Sequence, residues 1–251
     1  MGKLRHIAFI SKEPKKLSDF YQKFFGLEEV KVFPSGSRMV IDGLFNLAFL
    51  QQHVTKVEVV GTHRADGSEA NQVQGIAHYG FMVDSLNEAV AKLPPTLKRG
   101  DSPQVSGGVS GPEAARPAEV RFIDPWGNNV DISSRGFLGR EEKRLPGIRL
   151  AVVQVDDPDK ACEFYKSQFD LEVIKRDPDG SMLSDGTVKL MLTPKQTLDR
   201  GGIQYFGIQV DNLQAVRQRL TGAGVEVFPL EGAPHQIRIN DPEGNQVVIS
   251  E

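Results

Sequence analysis

The sequence predicts an α+β protein built from four βαβββ units, paired into two tandem domains with curved, mostly antiparallel sheets. Three observations carry this. The chain repeats itself in the order A–B–A′–B′. Each unit reads as an apolar strand, a short helix and further short strands. A length of 251 residues suits one large domain or two small ones.

Residues 4–27, LRHIAFISKEPKKLSDFYQKFFGL, return as IRLAVVQVDDPDKACEFYKSQFDL at 148–171. GIAHYGFMVDSL at 75–86 returns as GIQYFGIQVDNL at 202–213, and DPWGNNVDIS at 124–133 as DPEGNQVVIS at 241–250. Asp42-Gly43 matches Asp185-Gly186. These matches divide the chain into domains at 1–138 and 145–251.

Along unit A, Ile7 to Ile10 form an apolar run, and Pro14 suits the first turn of a helix. Leu17, Phe20, Tyr21, Phe24 and Phe25 follow at helical spacing, and Gly26 fits a left-handed residue after the helix. Glu29–Phe33, Ser37–Ile41 and Asn46–Leu50 are β-rich. Unit B offers a strand at His78–Val83, a helix around Leu86–Leu93, and strands near Glu119–Ile123 and Asn129–Ser133. Asp124-Pro125 to Gly127-Asn128 is turn chemistry between the last two. Two polar segments break the repeat: 61–74, read as a connection, and 101–118, read either as a lid or as a bare insertion.

Composition narrows the function. With 39% hydrophobic and 25% charged residues the chain can bury a core. The net charge is −3, and neither half carries the basic field that nucleic acid or an anionic membrane needs. One cysteine, Cys162, rules out an intrachain disulfide and thiolate metal clusters, and it reads as a structural thiol. No apolar run approaches a spanning length. The expectation is a cytoplasmic protein, monomer or homodimer, whose partner is a small molecule.

Of the five histidines, His53, His63 and His235 lie in loop-like sequence and read as solvated. His6 and His78 occupy equivalent first strands of units A and B, and Asp131 lies on the last strand of unit B. A local pseudo-twofold between the units brings such positions together. Two imidazoles and one carboxylate form a facial set with open coordination positions, suited to Fe(II) and usable by other divalent ions. The repeat supplies a control, since His6 aligns with Leu150, His78 with Tyr205 and Asp131 with Val248. All three donors vanish together in the second half. Against this, a lone strand histidine is more often a core or surface residue than a ligand. Tyr79 points away from His78 by strand alternation. Arg121 reads either as a substrate-binding cation or as a surface residue.

The βαβββ units, the Phe-Tyr helix ending near Gly-Leu, and the Asp-Pro-x-Gly-Asn turn resemble the vicinal oxygen chelate superfamily of glyoxalases, bleomycin-resistance proteins and extradiol dioxygenases. The resemblance covers all four units. It implies a divalent metal held by His6, His78 and Asp131, with Fe(II) expected first and Mn, Ni, Co or Zn as alternatives. The family's third ligand is usually Glu, so Asp131 is a departure. A fourth carboxylate, common in glyoxalases, is missing from Asn46–Leu50, which turns the expectation toward a three-ligand, extradiol-type dioxygenase. The site would lie in the N-terminal half, where two-domain extradiol enzymes generally use the C-terminal one. A glyoxalase-like lyase or isomerase and a metal-free, drug-resistance-like binding protein are the alternatives. The sequence points to no general base.

Overall fold

The fold was analysed in a computed structural model that describes residues 1–52, 75–97, 99–101, 119–195 and 202–251. The expected connection at 61–74 and the candidate lid, apart from Asp101, lie outside the described residues, as do His53 and His63.

Unit A runs β1 (Lys3–Ser11), α1 (Pro14–Phe25), β2 (Glu28–Val32), β3 (Arg38–Ile41) and β4 (Asn46–Gln51). Unit B runs β5 (Gly75–Met82), α2 (Leu86–Lys92), β6 (Arg99–Asp101), β7 (Glu119–Ile123) and β8 (Asn129–Ser133). Unit A′ follows with β9 (Gly147–Val155), α3 (Pro158–Phe169), β10 (Glu172–Asp177), β11 (Gly180–Ser184) and β12 (Lys189–Pro194). Unit B′ closes with β13 (Gly202–Gln209), α4 (Leu213–Gly222), β14 (Val227–Pro229), β15 (Gln236–Asn240) and β16 (Gln246–Ser250). The βαβββ order thus holds four times.

Two eight-stranded sheets result, ordered β2-β3-β4-β1-β5-β8-β7-β6 and β10-β11-β12-β9-β13-β16-β15-β14. Within each, the first strands of the two units pair antiparallel, as β1 with β5 and β9 with β13. Each first strand also pairs parallel with the last strand of its own unit, and the remaining pairs are antiparallel. The sheets are curved, as the sequence predicts. Pro14 opens α1, and Gly26 ends it at φ 65°, where its N–H donates to the Gln22 carbonyl and the following Leu27 N–H to that of Tyr21.

The two halves are interlocked by reciprocal bonds between repeated motifs. Tyr21, on α1, stacks on Phe49 and donates its hydroxyl to Asp241, in the Asp-Pro turn of unit B′, at 2.9 Å. Tyr165, its counterpart on α3, donates to Asp124 in the Asp-Pro turn of unit B. The Asp-Gly turns behave alike. Asp42 accepts from Ile148 N at 2.6 Å and Arg149 at 3.1 Å, while Asp185 accepts from Leu4 N at 2.8 Å and Arg5 at 2.6 Å. All four carboxylates are buried. Phe81 stacks on Phe169 with ring centroids 3.9 Å apart, so the apolar core runs unbroken from one half to the other.

Burial makes these polar bonds expensive to break. Tyr165→Phe should destabilise the protein by about 1–3 kcal/mol, since it strips a donor from the buried Asp124 carboxylate. Asp42→Ala should cost about 3–5 kcal/mol by stranding the buried Arg149 guanidinium. Urea unfolding followed by circular dichroism checks both, and it should give one transition for the wild type because neither half completes its packing alone.

Candidate functional site

Strand register places the candidate residues before any side chain is considered. His6 of β1 pairs with Asn46 of β4 and with Gly80 of β5. Gly80 pairs with Asp131 of β8, which pairs with Arg121 of β7, which pairs with Gly100 of β6. Directly paired residues share a face, so this is one transverse row across the sheet. His78 stands two residues before Gly80 and therefore on the same face. Tyr79 faces the other way, as expected, into the core, where its hydroxyl meets that of Tyr165.

The side chains meet within that row. His6 Nε2 and His78 Nε2 are 3.3 Å apart, and His78 Nε2 is 3.3 Å from Asp131 Oδ2. All three residues are buried. His6 Nδ1 lies 2.7 Å from Asn46 Oδ1. An amide oxygen accepts, so Nδ1 carries the hydrogen and Nε2 presents its lone pair. Arg121 donates from Nε to Asp131 Oδ1 at 2.6 Å and from Nη2 to Oδ2 at 2.8 Å. Its Nη2 also stands 3.1 Å from His78 Nε2, which must accept there. Two imidazole lone pairs therefore face each other at hydrogen-bond distance.

Electrostatics follow from this burial. Burial lowers the pKa of His6 to about 4, against the opposing pull of Asp131. His78 is held well below its ordinary value by burial and by the Arg121 charge. Burial disfavours an ionised Asp131, but the neighbouring positive charge and the guanidinium hydrogen bonds outweigh it and hold the carboxyl below its ordinary value.

A metal fits the donor chemistry of this set. Metal–nitrogen bonds of about 2.0–2.1 Å put neighbouring ligand atoms about 3.0–3.4 Å apart, the spacing of the two Nε2 atoms. The Asn46–His6 bond is the kind of second contact that orients a metal-binding imidazole. As they stand, however, no three His, Cys, Asp or Glu side chains among the described residues are arranged to hold an ion. Both oxygens of Asp131 are engaged by Arg121.

Two members of the site are not apparent in the sequence. Asn46 is legible there only as a missing acid. Phe137 comes from the segment joining the halves and stacks on the His6 ring, centroids 4.6 Å apart and planes within 6°. Gly80 makes the room, for a Cβ there would stand 2.5 Å from the tip of the Phe137 ring. Among the other residues singled out, His235 is exposed in a turn and Cys162 is buried in α3.

The same row in the second half has lost its donors. Leu150, Gly207 and Val248 stand where His6, Gly80 and Asp131 stand, flanked by Lys189 and Arg238. Tyr205, two residues before Gly207, takes the place of His78.

Comparison with known proteins agrees with this architecture. Two family models, each described as Glyoxalase/Bleomycin resistance protein/Dioxygenase superfamily, match residues 5–96 and 147–249. The chain belongs to that superfamily. No curated protein sequence matches significantly. Among solved structures, the Mn(II)-bound glyoxalase from Novosphingobium aromaticivorans is similar with a TM-score of 0.71 at 13% identity, over 100% of this chain and 83% of that one. The 2,3-dioxygenase LapB from Pseudomonas sp. KL28 is similar with a TM-score of 0.69 at 14% identity, over 99% and 91% of the two chains. At such identities the likeness is one of fold.

Two outcomes follow. In chelator-treated protein, the unfolded chain protonates His6 near pH 6.5 while the folded chain resists until about pH 4. Stability at pH 7 should therefore fall as the pH drops across that window, by about 3 kcal/mol from His6. Urea midpoints across the range check this, and His6→Gln should flatten the slope. Gly80→Ala should displace Phe137 and cost about 1–3 kcal/mol by the same measurement.

Proposed function

We propose that this protein is a divalent-metal-dependent enzyme of the vicinal oxygen chelate type, acting on a small molecule with two adjacent oxygens. His6, His78 and Asp131 are the ligands, and Fe(II) is the expected ion. One observation carries the reading: three residues from three different strands, chosen on chemistry and repeat position, have their donor atoms gathered in one buried cluster. Such an ion supplies a Lewis acid for vicinal oxygens and, as Fe(II), a redox centre.

The chain's own residues do the rest. Asn46 fixes the His6 ring so that Nε2 faces inward. Phe137 covers the His6 ring and keeps water from that side. An amide at position 46, where a glyoxalase-type centre would want a fourth carboxylate, favours extradiol-type dioxygenase chemistry over lyase or isomerase chemistry. A metal-free binding protein is the second reading, favoured by the Arg121 guanidinium that already neutralises Asp131.

Metal analysis of freshly purified protein should find about one equivalent of Fe, Mn, Ni, Co or Zn per chain, lost in His6→Ala and His78→Ala. A panel of catechols and of α-keto and α-hydroxy compounds, assayed with and without oxygen, should show oxygen-dependent turnover of a catechol. Absence of metal, with ligand binding indifferent to chelator and to His6→Ala, would favour the metal-free reading.

A further inference from the structure

Arg121 is a cation placed where the proposed centre would hold its own. It spans both Asp131 oxygens at 2.6 and 2.8 Å, and the same guanidinium reaches His78 Nε2 at 3.1 Å. Two of the three proposed ligands are thus taken by one permanently charged group, since a guanidinium does not deprotonate in proteins. A divalent ion on the same atoms would stand against that charge and would compete for the single lone pair of His78 Nε2.

The repeat indicates why an arginine is there. Arg238 occupies the same register in the second half, opposite Val248 instead of a carboxylate. It lies over the Phe228 ring, 5.0 Å from its centroid, and its Nε has no hydrogen-bond partner among the described residues. Phe228 faces Arg238 across the strand pair at the sheet edge, whereas Gly100 faces Arg121 and offers no ring. An arginine at this position therefore belongs to the shared framework and adopts different partners in the two halves. The Arg121 side chain is 13% exposed, against 2% for Asp131.

We infer that Arg121 is a resident counter-cation that competes with the divalent ion for Asp131 and His78, so that loading the centre requires its guanidinium to swing away. The inference rests on the metal reading above. It sets the affinity of the centre: the donors stay neutralised and buried without metal, and the ion binds more weakly than the bare ligand set allows.

Co(II) titrated into chelator-treated protein, followed by its visible absorption, tests this in the wild type, Arg121→Gln and Asp131→Asn. Arg121→Gln should bind Co(II) at least tenfold more tightly, and Asp131→Asn should lose most of the affinity. Equal or weaker binding by Arg121→Gln overturns the competition while leaving the metal reading intact. Binding by Arg121→Gln but not by the wild type supports the competition in its strongest form. No binding by either protein overturns the metal reading, and this inference with it. The unmodified protein gives a second readout that does not depend on the variant folding. The Arg121 Nε–H cross-peak in a nitrogen-15 NMR spectrum should shift or broaden on saturation with Zn(II), and an unchanged peak with bound Zn(II) overturns the inference.

Discussion

Two buried carboxylates, Asp124 and Asp241, hold this molecule together across its halves. Each caps its own Asp-Pro turn by accepting two backbone N–H groups and the Asn128 or Asn245 amide, and each then takes a tyrosine hydroxyl from the other half. Burial works against a charge on either group and raises its pKa, so every one of those donors counts. The Asp124 turn joins β7 to β8 and so fixes their register, which sets Arg121 opposite Asp131. The candidate site in the first half is thus aligned by a tyrosine on the first helix of the second.

That dependence explains why the second half keeps its framework after losing the metal-type donors. Leu150 and Val248 replace His6 and Asp131 with apolar side chains in the same row, which avoids leaving a partial polar set buried. Gly207 is retained beside Leu150, whose side chain would stand 2.9 Å from an added Cβ, much as Gly80 is retained beneath Phe137. One glycine at the centre of each row admits a large neighbour, Phe137 in one half and Leu150 in the other. The second half contributes the helix, the turn and the packing surface that the first half cannot supply for itself.

Much of this was legible in the sequence because repeats expose it. The strands expected near Glu119–Ile123 and Asn129–Ser133 are β7 and β8, since the Asp-Pro-x-Gly-Asn turn between them punctuates the chain sharply. That His78 and Tyr79 lie on opposite faces of their strand followed from alternation alone. The partners of those residues did not. Phe137 comes from a joining segment with no periodicity to read, and Arg121 looked equally like a surface residue. Tyr21 and Asp241 are separated by 220 positions, and no local pattern in either announces the other.

The sequence by itself determined the four units, their order, their pairing into two halves, and the face on which His6, His78 and Asp131 lie. These are consequences of local periodicity and of repetition, both of which act over a few residues at a time. Tertiary structure alone decided that each Phe-Tyr helix serves the opposite half, that Phe137 covers His6, and that Arg121 grips Asp131. Those outcomes turn on which buried polar groups find partners and which side chains fill a glycine's space. Such choices are made between residues brought together only when the two sheets pack.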